Sequence, residues 1–325
     1  RHVSAKRVFG AVVTVAVLVL AAVVPLTTQP FAGAERSGPE VIVVPARLEA
    51  TVRKLAVDFH PRGHQNPEKL DAAAAWLKAQ LGPGATEQTW KVEGREYRNV
   101  SRLYGPATGD RVVVGAHYDT CEGLPGADDN ASGVAGALEL AHVFAVTPPP
   151  GPVEIVFWSL EEPPFFRTRE MGSVVHADAL AAAGARVKAA LSLETIGYFS
   201  DAPGSQHFPI GALGLIYPTT ANHIAVVGNL GQVGLTRKVK RAMSGANDLP
   251  VASINAAAAI PGIDWSDHRS YWAHGWPAVM VTDTALNRNA NYHHATDTPE
   301  TLDYVRMAKV VAQVHSAVWA LSAQK

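Results

Sequence analysis

Short, uninterrupted apolar runs recur along this chain, and segments with helical spacing separate them. Arg111 to Tyr118 (with Val112-Val113-Val114), Val153 to Leu160, Val187 to Leu193, Ile224 to Gly228 and Pro277 to Val281 read as strands, as does Tyr97 to Tyr104. Pro45 to Phe59, Pro67 to Leu81, Ala131 to Phe144, Gly172 to Ala183 and most of Thr298 to Leu321 read as helices. A strand that is apolar on both faces must be covered on both faces, which is the condition of a parallel sheet between helical layers. The sequence therefore predicts an α/β fold: one globular domain with a central mixed, mostly parallel sheet covered by helices on both sides. No internal repeat or long low-complexity linker divides residues 35–325.

Residues 1–34 stand apart from that domain. Val8 to Val24 is a run of seventeen uncharged residues preceded by Arg1, His2, Lys6 and Arg7. Such a segment is a secretory signal peptide or an N-terminal membrane anchor, and Ala32-Gly33-Ala34 supplies a small-residue cleavage site for the first. Both readings place the domain outside the cytoplasm, secreted or anchored to the membrane, with any membrane contact made through this segment. Charge excludes another class of partner: 28 basic against 29 acidic residues with no basic run is not a nucleic-acid binder. The single cysteine excludes a disulfide scaffold, an Fe–S centre and a Cys-ligated zinc site, and Cys121 reads as a small packing residue.

Polar residues gather where the strands end, the place where open α/β sheets carry their reactive crevice. The first such end reads Gly115-Ala116-His117-Tyr118-Asp119-Thr120, followed by Asp128-Asp129-Asn130-Ala131-Ser132-Gly133 at the entry to a helix. Later ends give Glu161-Glu162 and Leu193-Glu194-Thr195, then Ser266-Asp267-His268 and Tyr292-His293-His294-Ala295-Thr296-Asp297-Thr298. An adjacent Glu pair is costly to bury without cations or shared protons. Two imidazoles converging with several carboxylates suit a divalent metal, zinc first.

The segments HYDT, DDNASG, EE, LET and YHHATDT, in this order over roughly Ser101 to Ala320, resemble the co-catalytic double-zinc aminopeptidases, a family related to glutaminyl cyclases and glutamate carboxypeptidases. The resemblance implies a zinc metallopeptidase catalytic domain over 35–325 that binds two Zn2+ and takes peptide substrates. It assigns His117 and Glu194 to one metal, Glu162 and His293 to the other, and Asp129 as the bridge. Asp129 is preferred to Asp128 because it lies three residues before Ser132, and His293 to His294 because it lies four before Asp297. A cis peptide is implied between Asp129 and Asn130.

By the same resemblance Glu161 is the general base and Tyr292 polarises the substrate carbonyl. Asp119 would orient His117, Asp297 would orient His293, and Asp267 would line the pocket unless it or Ser266 caps a helix. Two features depart from the pattern. Glu194 stands where many relatives have Asp, and PPFFRTREM follows the Glu pair where the simplest aminopeptidases have a few residues. Phe165 and Phe166 of that insertion are candidates for the pocket wall, and Arg167, Arg169 and Arg269 for a carboxylate-binding patch. The expected activity is an exported aminopeptidase. The alternatives are a single-zinc glutaminyl-cyclase-type acyltransferase, a carboxypeptidase or other amidohydrolase on the same site, and a non-catalytic binding domain. The remaining histidines (His60, His64, His142, His176, His207, His223, His274 and His315) read as surface or core residues, and the sequence leaves the oligomeric state open.

Overall fold

The computed structural model describes residue 14 and residues 23–323. The apolar run 8–24 therefore lies outside the described residues except for Thr14, Val23 and Val24. Among the described residues no helix is long and apolar enough to cross a membrane.

Eight strands form one sheet: β1 (Thr86–Val92), β2 (Arg95–Tyr104), β3 (Arg111–His117), β4 (Val153–Trp158), β5 (Val187–Glu194), β6 (Ile224–Asn229), β7 (Val251–Ala256) and β8 (Ala278–Thr282). Their order is β1-β2-β4-β3-β5-β8-β6-β7. The centre is parallel, from β4 through β3 and β5 to β8, and the β6–β7 pair is parallel within itself. β1 and β2 join antiparallel at one side, and β6 runs antiparallel to β8 at the other. This is the mixed, mostly parallel α/β sheet expected from the sequence.

The two-residue period of a strand divides the core. Val112, Val114 and Ala116 of β3 face one side with Ile155, Leu191, Val226 and Val281. The helices there are α1 (Pro45–Arg53), α2 (Pro67–Leu81), α3 (Gly133–Val146), α5 (Val233–Ser244) and α7 (Tyr304–Ser322). Val113, Val156, Trp158 and Ala190 face the other side, under α4 (Gly172–Ala182) and α6 (His268–Trp272). Over β6 and β8 that second side carries Ala225, Val227 and Met280 with Ile263, and Ile260 of a loop and Trp272 at the end of α6 pack against them.

Local signals explain three of the helix starts. Pro45 and Pro67 open α1 and α2, where the missing N–H costs nothing. The Asp303 side chain accepts from the Arg306 N–H to cap α7. The structure also corrects several boundaries. The helix read from Pro45 to Phe59 is α1 continued by a π-helical turn, Lys54–Asp58. The helix read from Ala131 starts at Gly133, because residues 127–132 make an irregular turn. The closing helix read from Thr298 is a 3-10 turn, Pro299–Thr301, and then α7. Sequence patterning missed β1, β7, α5 and α6: β7 buries Ser253 and Asn255, and α5 carries Arg237, Lys238, Lys240 and Arg241 within one turn and a half.

At the centre of the sheet β3 tolerates no side chain at Gly115. A Cβ there would lie 2.2 Å from the Val156 carbonyl oxygen and 2.7 Å from the Trp158 ring. Gly115→Ala is expected to destabilise the domain by about 1–3 kcal/mol, read as a lower midpoint of thermal or urea unfolding; an unchanged midpoint would contradict this packing.

Candidate metal centre

Parallel register brings the strand ends together. His117 pairs opposite Trp158, so β4 delivers Glu161 and Glu162 just beyond it, and β5 delivers Glu194 one strand away. Asp129 lies in the turn before α3, and His293 in the loop between β8 and α7. Nearly all of these side chains are buried: His117 is 1% exposed, Asp129 and Glu162 4%, Glu161 and Glu194 7%.

Asp129 stands at the middle. Its Oδ1 is 3.3 Å from His117 Nε2 and its Oδ2 is 3.0 Å from His293 Nε2. Glu194 Oε2 lies 3.4 Å from His117 Nε2, and Glu162 Oε2 lies 3.5 Å from His293 Nε2. Two groups of donor atoms result, one of His117, Asp129 and Glu194, the other of Glu162, His293 and Cys121, each with all its atoms within 4.8 Å of one another. Glu161 Oε2 sits 3.9 Å from His117 Nε2, and no such group contains it among the described residues. The Asp129–Asn130 peptide is cis. Asp128 points elsewhere: its Oδ1 accepts from the Gly197 N–H and its Oδ2 from Asn289. His294 is exposed and turns its Nδ1 to the Tyr292 carbonyl.

The backbone carrying these groups is held by two carboxylates that sequence reasoning had placed behind the histidines. Asp119 Oδ1 and Oδ2 accept from the Glu161 and Glu162 N–H groups, at 3.2 and 3.1 Å. Asp297 does the same for Asp128 and Asp129, at 2.9 and 3.1 Å. His117 Nδ1 faces the Asp119 carbonyl oxygen at 3.2 Å, with the carboxylate farther off at 3.6 Å. Ser266 donates to Glu194 at 2.7 Å, and neither it nor Asp267 caps α6. Asp267 is fully buried, and neither of its oxygens has a hydrogen-bond partner.

Arg62 was missed altogether. It is fully buried, and its guanidinium donates to the carbonyls of Tyr118, Leu55, Pro125 and Gly126 at 2.6–3.1 Å. It thereby closes the loop that links His117 to Asp129. No sequence pattern marks such a residue, because all four of its partners are main-chain atoms brought close by the fold.

Electrostatics show what this arrangement lacks. Burial lifts the Glu161 carboxyl well above its usual range, and the charges of Glu194, Asp267 and Glu162 add to the effect. Burial and Asp129 push Glu162 up to about 7. Burial also raises Asp267 to about 7, and burial with Asp128 raises Asp297 to about 7. Burial opposes charge on the imidazoles, yet Asp129 and Glu162 overcome it and hold His293 up at about 11. The same balance, with Glu194 and Glu161 dominant, raises His117. On Asp129 burial is outweighed by the two imidazoles, which hold it far below its usual range.

Without another cation the cluster thus takes up protons. Three of its donor atoms, His117 Nε2, Asp129 Oδ1 and Glu162 Oε1, are buried with no hydrogen-bond partner. Buried polar atoms are normally paired, and unpaired ones aimed at a common space fit a metal.

A consequence follows for the metal-free protein. Glu162, Asp267 and Asp297 have folded pKa values above their unfolded ones, so folding takes up protons and their contribution falls as pH rises through about 7. The raised His293 acts in the same direction, losing its contribution as pH rises from its unfolded value toward about 11. Metal-free protein should therefore show a falling melting temperature from about pH 5 to about pH 8, and added zinc should restore it most at the upper end. A melting temperature that rises across this window without metal would contradict the electrostatics.

Comparison with known proteins agrees with this geometry. Residues 99–318 match the model of peptidase family M28. An uncharacterized Escherichia coli protein, YfbL, is 44% identical over 294 residues, covering 87% of this chain and 90% of that one. Leucine aminopeptidase 1 of Ajellomyces capsulatus is 26% identical over 299 residues, covering 85% and 71%. Among solved structures, the Legionella pneumophila LapA aminopeptidase superposes with a TM-score of 0.66 at 18% identity, covering 89% of this chain and 78% of that one. A Fimbriiglobus ruber glutaminyl cyclase does so at 0.63 with 21% identity, covering 90% and 99%. With the family model spanning most of the domain and a metal-fitting cluster at its strand ends, the chain is a metallo-exopeptidase that belongs to peptidase family M28.

Proposed function

We propose that this enzyme is an exported aminopeptidase that uses two zinc ions to remove apolar N-terminal residues from peptides. The observation that carries the proposal is Asp129, whose two oxygens face two different imidazoles, each with its own Glu beside it. That is a donor set for two ions sharing one carboxylate: His117 and Glu194 for one, Glu162 and His293 for the other. Bound there, the ions would supply a Lewis acid for the scissile carbonyl and an acidified water. Export is supported by the basic and apolar character of residues 1–34.

The chain's own residues do the rest. Glu161, beside His117 but outside both donor groups, accepts the proton of the attacking water and returns it to the leaving amine. Tyr292 stacks on His293 with ring centroids 4.1 Å apart. Burial and the surrounding carboxylates raise its phenol far above the usual range, so it keeps its proton and can donate to the carbonyl oxygen. Asp119, Asp297 and Arg62 hold the loops that carry these groups.

The substrate side chain is read from the pocket that begins at Glu194 and Tyr292. It opens to solvent on one side and runs between Ala225, Val227, Ala252, Ile254 and Met280 of the sheet and Phe208, Tyr217 and Trp265 of the loops. Such a lining selects a large apolar residue. Phe165 and Phe166 take no part in it: Phe165 packs on Tyr97 and His64, and Phe166 lies beside Arg167 and Arg269. Those two arginines are both drawn to Asp264, at 2.6 and 3.7 Å, which disfavours a carboxypeptidase reading.

Elemental analysis with two substrates separates the remaining alternatives. Two equivalents of zinc and hydrolysis of leucyl-amide are expected; one equivalent, with ammonia released only from an N-terminal glutaminyl peptide, would establish a cyclase instead. Glu161→Gln should keep both zinc ions and lower kcat about 10²–10⁴-fold; retained turnover would remove Glu161 from its role. Ala225→Phe should lower kcat/KM for leucyl-amide about tenfold while sparing alanyl-amide, and an equal loss on both would show that this pocket does not hold the side chain.

A further inference from the structure

We propose that Cys121 is a further protein ligand of the ion at Glu162 and His293, so that this position carries a thiolate donor and the His117–Glu194 position does not. The inference rests on the two-ion reading above. It reverses the sequence expectation that Cys121 is a packing residue and that cysteine has no part in a zinc site. The sulfur belongs to no apolar cluster of the core. It is only partly buried, and its ligand atom lies within 4.8 Å of those of both Glu162 and His293.

A second observation points to a ligand at the same place. Glu162 is 4% exposed, and its Oε1 has no hydrogen-bond partner. A small pocket, partly open to solvent, is lined by Cys121, Asp129, Glu162 and His293 together. The backbone explains how the thiol reaches it. Arg62 ties down the carbonyls of Tyr118 and Pro125 on either side, and the Leu124 N–H donates to the Cys121 carbonyl at 3.1 Å to close a turn.

The donor chemistry then differs between the two positions. One group, of His117, Asp129 and Glu194, offers only nitrogen and oxygen; the other, of Glu162, His293 and Cys121, adds a sulfur. Glu161 lies beside the imidazole of the group without sulfur, at 3.9 Å. Binding would release the thiol proton to solvent, since the thiolate is the ligand.

Cobalt provides the test. The metal-free full chain is titrated with Co2+ alone, and the near-ultraviolet thiolate-to-cobalt charge-transfer band is followed in wild type, Cys121→Ser and Cys121→Ala. Because the chain has one cysteine, any such band belongs to Cys121. The expected result is a band that saturates with the first, tighter equivalent in wild type and is absent from both variants. The tighter equivalent should weaken by at least about tenfold in the variants, with the second unchanged. Two bound equivalents with no band, or equal affinities in wild type and Cys121→Ala, would overturn the proposal while leaving the two-ion reading intact. Failure of wild type to bind any Co2+ would overturn both.

Discussion

Carboxylates crowded into a space with little water repel one another, so the backbone that carries them must be fixed and positive charge must come from somewhere. Both requirements are visible around Asp129. Asp119 and Asp297 each use both oxygens to hold the two N–H groups of an adjacent acidic pair, Glu161-Glu162 and Asp128-Asp129. Arg62 gathers four carbonyls from the neighbouring loops, and its charge lies near Asp297, Asp119, Asp129 and Glu162. Burial lowers the Arg62 guanidinium to about 10, and these carboxylates keep it from falling further. One buried cation and two imidazoles are few against this many acids, and the raised carboxyl groups are the physical expression of that deficit.

The sheet serves this cluster by aligning its carboxyl ends and serves the substrate by a change of direction. Between β4 and β8 the strands are parallel, so His117, the Glu pair and Glu194 emerge at one edge. β6 then runs antiparallel to β8, and its second face is met by loops around Ile260 and Ile263 and by Trp272 at the end of α6. Ala225 and Val227, small for a sheet interior, leave room under those loops, and the resulting apolar pocket reaches Glu194 and Tyr292. The candidate metal centre and the apolar pocket beside it thus come from neighbouring halves of one sheet.

Much of this was legible in the sequence, and the reason is local. Strand ends followed at once by His, Asp or Glu can be found by reading where an apolar run stops, and the candidate ligands and Glu161 all lie at such stops or in short motifs. The fold class followed from the same runs. What escaped was tertiary in origin. Asp119 and Asp297 were recognised as supporting residues, yet their target, a pair of backbone N–H groups on another strand or loop, has no signature at either position. Arg62 sits in an unpatterned loop and binds only carbonyls. The strand β7 hides because it buries Ser253 and Asn255, which bond to Gln29 and to Thr236 of α5, so its apolar alternation is broken. The sequence reading of Cys121 as a packing residue has no local test, because a thiol four residues beyond the core strand β3 looks the same in sequence whether it packs or faces a ligand cluster.

On the proposed function, Asp129 joins two cation positions, one on each oxygen. The most direct measurement is a crystal structure of the zinc-loaded protein with anomalous data collected on both sides of the zinc absorption edge. The account predicts two anomalous peaks, one beside His117 and Glu194 and one beside Glu162 and His293, with a different oxygen of Asp129 on each. A single peak at full zinc loading, or a second peak away from Asp129, would contradict it.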